Sequence, residues 1–214
     1  MNGFKKLRSK EDFKLKIVIL GPDGAGKSSV IDGLMGRLEF GGRTVKMRHL
    51  KPRFVAQLRN QPVIIVVDPH GIPPRGPLLS LVKIVVWLVE EWYAHLFHEK
   101  KETVLICDRY YHDLLVDPKR YRFGAPVWTA ALVGRLMPQP KLWILLDAPA
   151  DVLQARKQEV TAEETARQCD AYRAFVRKQR QYVIVDASQS LDKVVADAAH
   201  AIKEALIEDV GNRG

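Results

Sequence analysis

The chain has 214 residues, a net charge of +9, and hydrophobic and charged fractions of 47% and 28%. This is an ordinary globular balance, and the length suits one domain that buries its core without disulfides. Cys107 and Cys169, the two cysteines, are not spaced as metal ligands and predict a reducing compartment. Since the first residues lack the apolar run of a signal peptide, we expect a cytoplasmic protein.

Neither the basic charge nor the most apolar stretch predicts a nucleic acid or membrane partner. The basic charge fits either an anionic substrate pocket or a nucleic-acid surface. The basic residues form no single long run, and several lie in a predicted basic tail, 1–13, which favours the pocket. The most apolar stretch, 77–97, is interrupted by Lys83, Glu90 and Glu91, so we expect a helix of the protein and not a membrane span.

Strand-like and helix-like segments alternate along the chain. After the tail, one domain, 14–214, is expected, with a parallel sheet and helices on both of its faces. The irregular segment 51–79 includes a predicted short strand at 63–67, and 110–126 is predicted to be a loop. The main predicted strands are 14–20, 44–50, 103–107, 142–146 and 182–185, and the predicted helices are 27–40, 78–100, 127–137, 150–158, 165–180 and 191–207.

A glycine-rich turn predicts a nucleotide site. Residues 21–28 (GPDGAGKS) fit the pattern G-x-x-x-x-G-K-[ST], follow a buried strand and open a helix. The glycines let backbone N–H groups curl around phosphate oxygens, and the start of the helix adds partial positive charge. Lys27 is expected to reach the β- and γ-phosphates of ATP, and the Ser28 hydroxyl to ligate Mg²⁺. The predicted nucleotide-binding residues here are Gly21, Asp23, Gly24, Ala25, Gly26, Lys27, Ser28 and Ser29.

Asp108 and Arg109 follow the third main strand. Ligands of open parallel sheets bind at the carboxyl ends of the strands, so this pair is expected near the phosphate loop. The Asp108 carboxylate could hold Mg²⁺ or its water, or accept a proton from an acceptor. Arg109 could grip a phosphate with two parallel hydrogen bonds. A structural pair that ends the strand is the alternative interpretation, and the neighbouring phosphate loop favours function.

Four segments together resemble the thymidylate kinase-like branch of the nucleoside monophosphate kinases. They are PDGAGKSS at 22–29, DRYYHDL at 108–114, LLDAPADVLQARK at 145–157 and VDASQSLDKV at 185–194. The match runs in order from about 16 to 202. The phosphate loop alone fits many families, whereas the second and third segments narrow the resemblance sharply.

The resemblance implies the three-layer fold of P-loop NTPases, with a five-stranded parallel sheet and a small mobile lid at about 157–168. It implies that Arg109 binds the phosphate of the acceptor and that Arg156 stabilises charge on the transferring group. Ser188 would contact adenine, and the helix over 78–97 could form a homodimer interface. The catalytic residues expected on this basis are Lys27, Asp108, Arg109 and Arg156, with Ser28 and Asp108 as metal ligands.

The acceptor side departs from the family pattern. Thymidylate kinases carry a Phe-Pro motif after the second strand, whereas this chain has RHLKPR at 48–53. Basic residues around this segment and around the proline-rich 68–77 are expected to face an anionic acceptor. The predicted acceptor-binding residues are Arg48, Arg53, His70, Arg75 and Arg109.

These patterns predict an ATP-dependent phosphotransferase that acts on a nucleoside monophosphate or a similar phosphorylated small molecule. One alternative is a small-molecule kinase for a sugar or sugar phosphate, since the chain is also similar to thymidylate kinase-like proteins associated with polysaccharide synthesis. A P-loop ATP-binding protein without transfer activity is another. A polynucleotide kinase is a further reading, and it would show salt-sensitive affinity for DNA or RNA.

Overall fold

The computed structural model describes residues 14–37, 44–49, 73–98 and 103–211. Within them, five parallel strands form one sheet in the order β2-β3-β1-β4-β5, with helices around it. The strands are β1 Lys14–Leu20, β2 Thr44–His49, β3 Thr103–Asp108, β4 Leu142–Asp147 and β5 Tyr182–Asp186. The helices are α1 Lys27–Arg37, α2 Pro77–Tyr93, α3 Asp113–Val116, α4 Val127–Leu136, α5 Ala150–Arg156, α6 Ala162–Val176 and α7 Leu191–Gly211. The α/β fold predicted from the sequence is confirmed.

Strand β1 lies in the centre of the sheet and is buried on both faces. Its side chains point alternately to the two faces of the sheet, as successive residues of a strand do. Ile17 and Ile19 belong to a core cluster with residues of α1 and α7. Val18 and Leu20 belong to a second cluster with residues of α2, α4 and α6. The continuous apolar run of β1 therefore reflects a strand covered on both sides, as parallel sheets require.

The strand order places the functional segments at one edge of the sheet. The order reverses at β1, which pairs with β3 on one side and with β4 on the other. At such a reversal the loops that follow neighbouring strands diverge and leave a crevice at their carboxyl ends. The loop after β1 is the glycine-rich turn, and the loop after β3 starts with Arg109. The register pairs Ile19 with Asp108, so both loops leave the sheet at the same level.

Most predicted elements are confirmed in type, with changes at their ends. The helix predicted at 27–40 is α1, the strand predicted at 44–50 is β2, and α7 continues beyond 207 to Gly211. The helix predicted at 78–100 is α2 followed by a π-helical turn, Ala94–His98. The basic tail 1–13, residue 50, and the predicted strand at 63–67 lie outside the described residues, as do 38–40 and 99–100.

Two predictions between 110 and 168 are wrong in part. The segment 110–126 is not loop throughout, because Asp113–Val116 forms one helical turn. Helix α6 begins at Ala162, earlier than the predicted 165, and ends at Val176. The Thr161 hydroxyl accepts a hydrogen bond from the Glu164 backbone N–H and caps this helix. The predicted lid, 157–168, thus contains the start of a capped helix, and its mobility stays a prediction.

Helix α2 exposes large apolar side chains on the surface of the described structure. Leu78, Val85 and Val89 are each more than half exposed, and so is Trp128 of the adjacent α4. No helix among the described residues is both long and apolar enough to span a membrane. The homodimer expected from the resemblance stays a prediction.

His112 is buried against the second core cluster and is neutral at physiological pH. Its Nε2 lies 3.0 Å from the carbonyl oxygen of Gly134, and its ring packs against Tyr110 and Trp143. Its Nδ1 is buried and has no hydrogen-bond partner among the described residues. Burial lowers the pKa of His112 to about 4, although the Gly134 carbonyl acts in the opposite direction.

We therefore expect stability to fall between pH 7.5 and pH 5. The unfolded His112 takes up a proton near pH 6.5, whereas the folded one does not until about pH 4, so acid favours the unfolded chain. This difference amounts to roughly 2 kcal/mol at pH 5. Denaturant unfolding at both pH values should show a smaller loss in His112→Gln than in the wild type. The exposed His200→Gln is the matched control, and an unchanged loss in His112→Gln would contradict the expectation.

Candidate active site

The glycine-rich turn joins β1 to α1 and has the backbone of a phosphate loop. Gly24 and Gly26 have φ values of 84° and 80°, which L-residues with a side chain rarely adopt. A Cβ on Gly24 would also lie 2.8 Å from the carbonyl oxygen of Leu153. A Cβ on Gly26 would meet nothing within 4 Å, so the backbone of Gly26 borders open space. The turn therefore combines glycine geometry with open space beside Gly26 at the start of a helix, the arrangement that suits phosphate.

Lys27 is buried beneath this turn and has little compensating negative charge. Its Nζ donates to the carbonyl oxygens of Gly21 and Pro22, both at 2.7 Å. Burial lowers the pKa of Lys27 to about 7, with a further contribution from the positive charge of Arg109, while Asp113 and Asp108 oppose the shift. A polyphosphate in the loop would supply the negative charge that this ammonium lacks. The position of Lys27 thus fits the predicted contact with ATP.

Asp108 at the end of β3 offers one bonded and one unbonded carboxylate oxygen. Its Oδ2 lies 2.8 Å from Nδ1 of His49 at the end of β2. Its Oδ1 is buried and has no hydrogen-bond partner among the described residues. A buried oxygen of this kind suits Mg²⁺ or a water bound to it. In the part of the chain that the structure describes, no group of three or more acidic, His or Cys side chains could hold a metal. Mg²⁺ would then depend on Ser28, Asp108, phosphate oxygens and water, as is usual for this ion.

Arg109 connects the loop after β3 to the phosphate loop. Its φ of 63° is unusual for a residue with a side chain, and its backbone N–H donates to the carbonyl of Ile19 at 3.2 Å. This backbone turn directs the guanidinium to Asp23, where Nη2 lies 2.6 Å from Oδ1. On its other side, Nη1 lies 2.7 Å from Oδ2 of Asp113. Burial alone would lower the pKa of Arg109, but Asp113 and Tyr172 raise it well above its usual value, so the cation is permanent.

Asp113 is the buried anchor of this arginine. Its side chain is fully buried, and its carboxylate accepts hydrogen bonds from Arg109, from the Tyr121 hydroxyl at 2.7 Å and from the Tyr172 hydroxyl. Burial raises the pKa of both tyrosines well above the usual value, and the nearby Asp113 adds to the shift. Both tyrosines are therefore fixed hydrogen-bond donors. The orientation of Arg109 is set by this network and not by solvent.

A second arginine, Arg120, also approaches Asp23. Its Nη2 contacts Oδ2 of Asp23 and also lies 3.3 Å from Oε2 of Glu159. Its backbone N–H and its Nε both donate to the buried Asp117, at 3.1 and 3.3 Å. Glu159 also accepts from Lys157 at 2.5 Å. The predicted lid is thereby connected to the phosphate loop through Arg120.

The residues predicted on the nucleotide side beyond the phosphate loop lie together. The Arg156 guanidinium at the end of α5 donates to the carbonyl of Ala187 at 2.8 Å. The next residue, Ser188, donates from its backbone N–H and its hydroxyl to Oδ1 of Asp186, at 2.9 and 2.5 Å. This is the geometry of a turn-forming serine. The predicted roles of Arg156 at the transferring group and of Ser188 at adenine stay predictions.

The predicted acceptor residues are only partly brought together. Arg48 forms an ion pair with the buried Glu91 of α2, which also lies 3.4 Å from Nζ of Lys16. The described contacts do not join Arg48 to Arg109. Arg75 donates its backbone N–H to the carbonyl of Arg122 at 2.9 Å, which places it beside the loop that follows α3. Arg53 and His70 lie outside the described residues.

Sequence reasoning missed several residues that build the site. Asp113 and Asp117 were hidden because 110–126 was predicted to be a loop, where a spacing of four residues has no meaning. A helical interpretation would not have supplied the pair of Arg109 with Asp113 either, because Arg109 has a left-handed backbone and lies before the helical turn that begins at Asp113. No signal in the sequence indicates the contacts of Tyr172 with Asp113, or of Arg120 with Asp23 and Glu159, because the two members of each pair are far apart in the chain. His49 was likewise not predicted to meet Asp108.

The fold and the site together define an α/β protein with a P-loop, and the fold is consistent with that of P-loop kinases. The features that carry this statement are the parallel sheet order and the phosphate loop between β1 and α1. The chain is 27% identical to the thymidylate kinase of Oenococcus oeni (strain ATCC BAA-331 / PSU-1) over 210 residues, which cover 89% of this chain and 95% of that protein. This similarity supports a distant relationship to thymidylate kinases. No protein-family model matches the chain.

Proposed function

We propose that the protein is an ATP-dependent phosphotransferase that passes the γ-phosphate of ATP to the phosphate group of a small acceptor. The observation that carries the proposal is the ion pair of 2.6 Å between Asp23 in the phosphate loop and Arg109 after β3. This pair joins the nucleotide side to a cation suited to an acceptor phosphate. A protein that only binds ATP would not need a cation for an acceptor at this position. The similarity to a thymidylate kinase supports the same class of reaction.

The residues have distinct parts in this reaction. The phosphate loop and Lys27 would hold the polyphosphate, and Ser28 and Asp108 would hold Mg²⁺, which neutralises charge on the phosphates when bound. Arg109, fixed by Asp113, would hold the acceptor so that its phosphate oxygen faces the γ-phosphorus. The new P–O bond forms as the bond from the γ-phosphorus to the ADP oxygen breaks. No base is needed, because the oxygen of a phosphate acceptor is already ionised.

One observation favours a second candidate, a kinase for a sugar hydroxyl. The His49 imidazole lies 2.8 Å from the Asp108 carboxylate, an arrangement that can take a proton from an attacking hydroxyl. A hydroxyl acceptor needs such a base, whereas a phosphate acceptor does not. His49→Gln should therefore abolish most turnover of an alcohol and leave turnover of a phosphorylated acceptor nearly unchanged.

The direct test is an ADP-release screen with saturating ATP and Mg²⁺. The panel contains nucleoside monophosphates, including thymidine monophosphate, together with sugar phosphates and free sugars. We expect turnover with phosphorylated compounds only. Release of ADP with free sugars alone would favour the second candidate. ATP binding without ADP release over the whole panel would support a binding protein without transfer activity.

Arg109→Ala should separate the two halves of the site. Because Arg109 is expected to contact the acceptor and not ATP, the KM of the acceptor should rise at least tenfold while ATP affinity changes little. Steady-state kinetics at varied acceptor and calorimetry with ATP measure the two effects. Arg177→Ala, which removes one exposed arginine beyond α6, is the matched control. Equal losses in both measurements would contradict an acceptor role for Arg109.

A further inference from the structure

Two buried aspartates, four residues apart, each hold one arginine beside Asp23 of the phosphate loop. The Asp113 and Asp117 side chains are 0% and 1% exposed. Asp113 holds Arg109 through Nη1, and Asp117 holds Arg120 through Nε and the backbone N–H. Burying a carboxylate is costly unless it is paired and hydrogen-bonded, so each aspartate depends on its arginine as a partner. Each aspartate fixes the direction of its arginine.

Both arginines then converge on one carboxylate. Nη2 of Arg109 donates to Oδ1 of Asp23 at 2.6 Å, and Nη2 of Arg120 lies against Oδ2 of the same side chain without the geometry of a hydrogen bond. The two guanidinium groups are therefore separated by the width of a single carboxylate group. Two oxygens of a phosphate group are separated by a similar distance. The same two nitrogens could thus each bind one oxygen of a single phosphate.

We propose that Arg109 and Arg120 form a two-arginine clamp for the phosphate group of the acceptor, and that Asp23 occupies this clamp until the acceptor binds. The inference deepens the proposed function and rests on it. It adds Arg120, which comes from the loop after α3 and which the sequence patterns did not single out. It assigns the clamp to an acceptor with a phosphate monoester, because a dianion can engage both guanidinium groups at once.

The surrounding carboxylates fit a clamp that exchanges partners. Arg120 also contacts Glu159 at 3.3 Å, and Lys157 contacts Glu159 at 2.5 Å. Burial would raise the pKa of Glu159, but the hydrogen bond from Lys157 and the charge of Arg120 lower it overall, so Glu159 is ionised. Asp23 and Glu159 are both partly exposed, at 12% and 24%. They can leave the arginines more easily than the buried Asp113 and Asp117.

The test is calorimetric titration of inorganic phosphate into the full chain, free and saturated with Mg·ADP. With the phosphate loop filled by ADP, the remaining phosphate site should be the clamp. Arg109→Ala and Arg120→Ala should each weaken phosphate binding to this complex about tenfold or more. Arg120→Lys should recover only part of the affinity, because lysine keeps the charge but loses the paired N–H groups. Lys119→Ala, which removes one positive charge from the adjacent exposed residue, should leave the affinity unchanged.

Asp23→Asn distinguishes a clamp from a merely structural ion-pair cluster. If Asp23 competes with phosphate for the two arginines, removal of its charge should tighten phosphate binding several-fold. If the three side chains only hold the loops together, the same change should weaken binding or leave it unchanged, and the proposal is overturned. Thermal unfolding of each variant shows whether it remains folded. Arg120→Lys serves in place of Arg120→Ala if the alanine variant does not fold.

Failure of the clamp and failure of the proposed function give different results. Normal Mg·ADP affinity together with phosphate binding that depends on Arg109 but not on Arg120 overturns the clamp and leaves the proposed function standing. Normal Mg·ADP affinity with no phosphate binding in the wild type also overturns the clamp. If Mg·ADP does not bind, the proposed function falls. In that case phosphate titrated into Lys27→Ala, whose phosphate loop is impaired, still tests whether Arg109 and Arg120 bind it.

Discussion

Lys27→Ala is expected to lower turnover by roughly 100-fold or more, because the variant loses the cation that faces the transferring phosphate. The expectation rests on position: Lys27 is buried, donates to the carbonyls of Gly21 and Pro22 at 2.7 Å, and lies where the phosphate loop meets α1. Turnover by ADP release and ATP affinity by calorimetry measure the loss. Lys193→Ala, an exposed lysine of α7 paired with Asp197, should behave as the wild type.

The Lys27→Ala protein is expected to be at least as stable as the wild type. Folding lowers the pKa of Lys27 from 10.5 to about 7, mainly through burial, so the buried ammonium costs stability at neutral pH. Its removal should leave the free energy of unfolding unchanged or increase it. Loss of function without loss of stability is the signature of a residue retained for its chemistry. A Lys27→Ala protein that is much less stable, or fully active, would contradict the functional assignment.

The fold was largely predictable because the strands are apolar runs bounded by turn residues. The run KLKIVIL predicted β1, and burial on both faces explains why it is continuous and not alternating. The phosphate loop was predictable for another reason: its chemistry requires particular residues at adjacent positions, so the whole signal lies within one short segment. Gly24 and Gly26 have the left-handed backbone that this signal implies.

The rest of the site could not be predicted, because it depends on contacts between distant parts of the chain. Tyr172 of α6 reaches Asp113 across 59 positions, and Arg109 reaches Asp23 across 86. Local periodicity contains no information about such pairs. The pair of Arg48 with Glu91 of α2 was not predicted for the same reason, and the acceptor role expected for Arg48 stays a prediction. Helix ends also differ from the prediction, since α6 begins at the cap Thr161 and not at the first apolar residue.

Asp113→Asn is expected to affect stability and acceptor binding together. The substitution keeps the shape of the side chain and removes the negative charge that Arg109 contacts at 2.7 Å in a fully buried position. Removal of one partner from a buried ion pair typically costs about 3–5 kcal/mol, because the other charge remains buried without compensation. Here Asp23 still contacts Arg109, so we expect a loss near the lower end of this range, measured by denaturant unfolding.

The effect on function should be confined to the acceptor. Without Asp113, Arg109 loses the contact that fixes its direction, and the KM of the acceptor should rise about tenfold, whereas ATP affinity should change little. Asp170→Asn, whose carboxylate is 81% exposed and pairs with Arg173 at 3.2 Å, is the matched control for charge and should alter neither quantity. Asp113→Asn with normal stability and a normal KM would show that Arg109 does not depend on this anchor.

A double-mutant cycle would measure the coupling directly. If Asp113 acts on the acceptor only through Arg109, then Asp113→Asn should add almost nothing to the KM defect of Arg109→Ala. The losses of stability should likewise be less than additive, because Arg109→Ala already removes the charge that Asp113→Asn would leave unpaired. Independent, additive effects on KM would mean that Asp113 contacts the acceptor through Tyr121 or Tyr172, the two other groups that it binds.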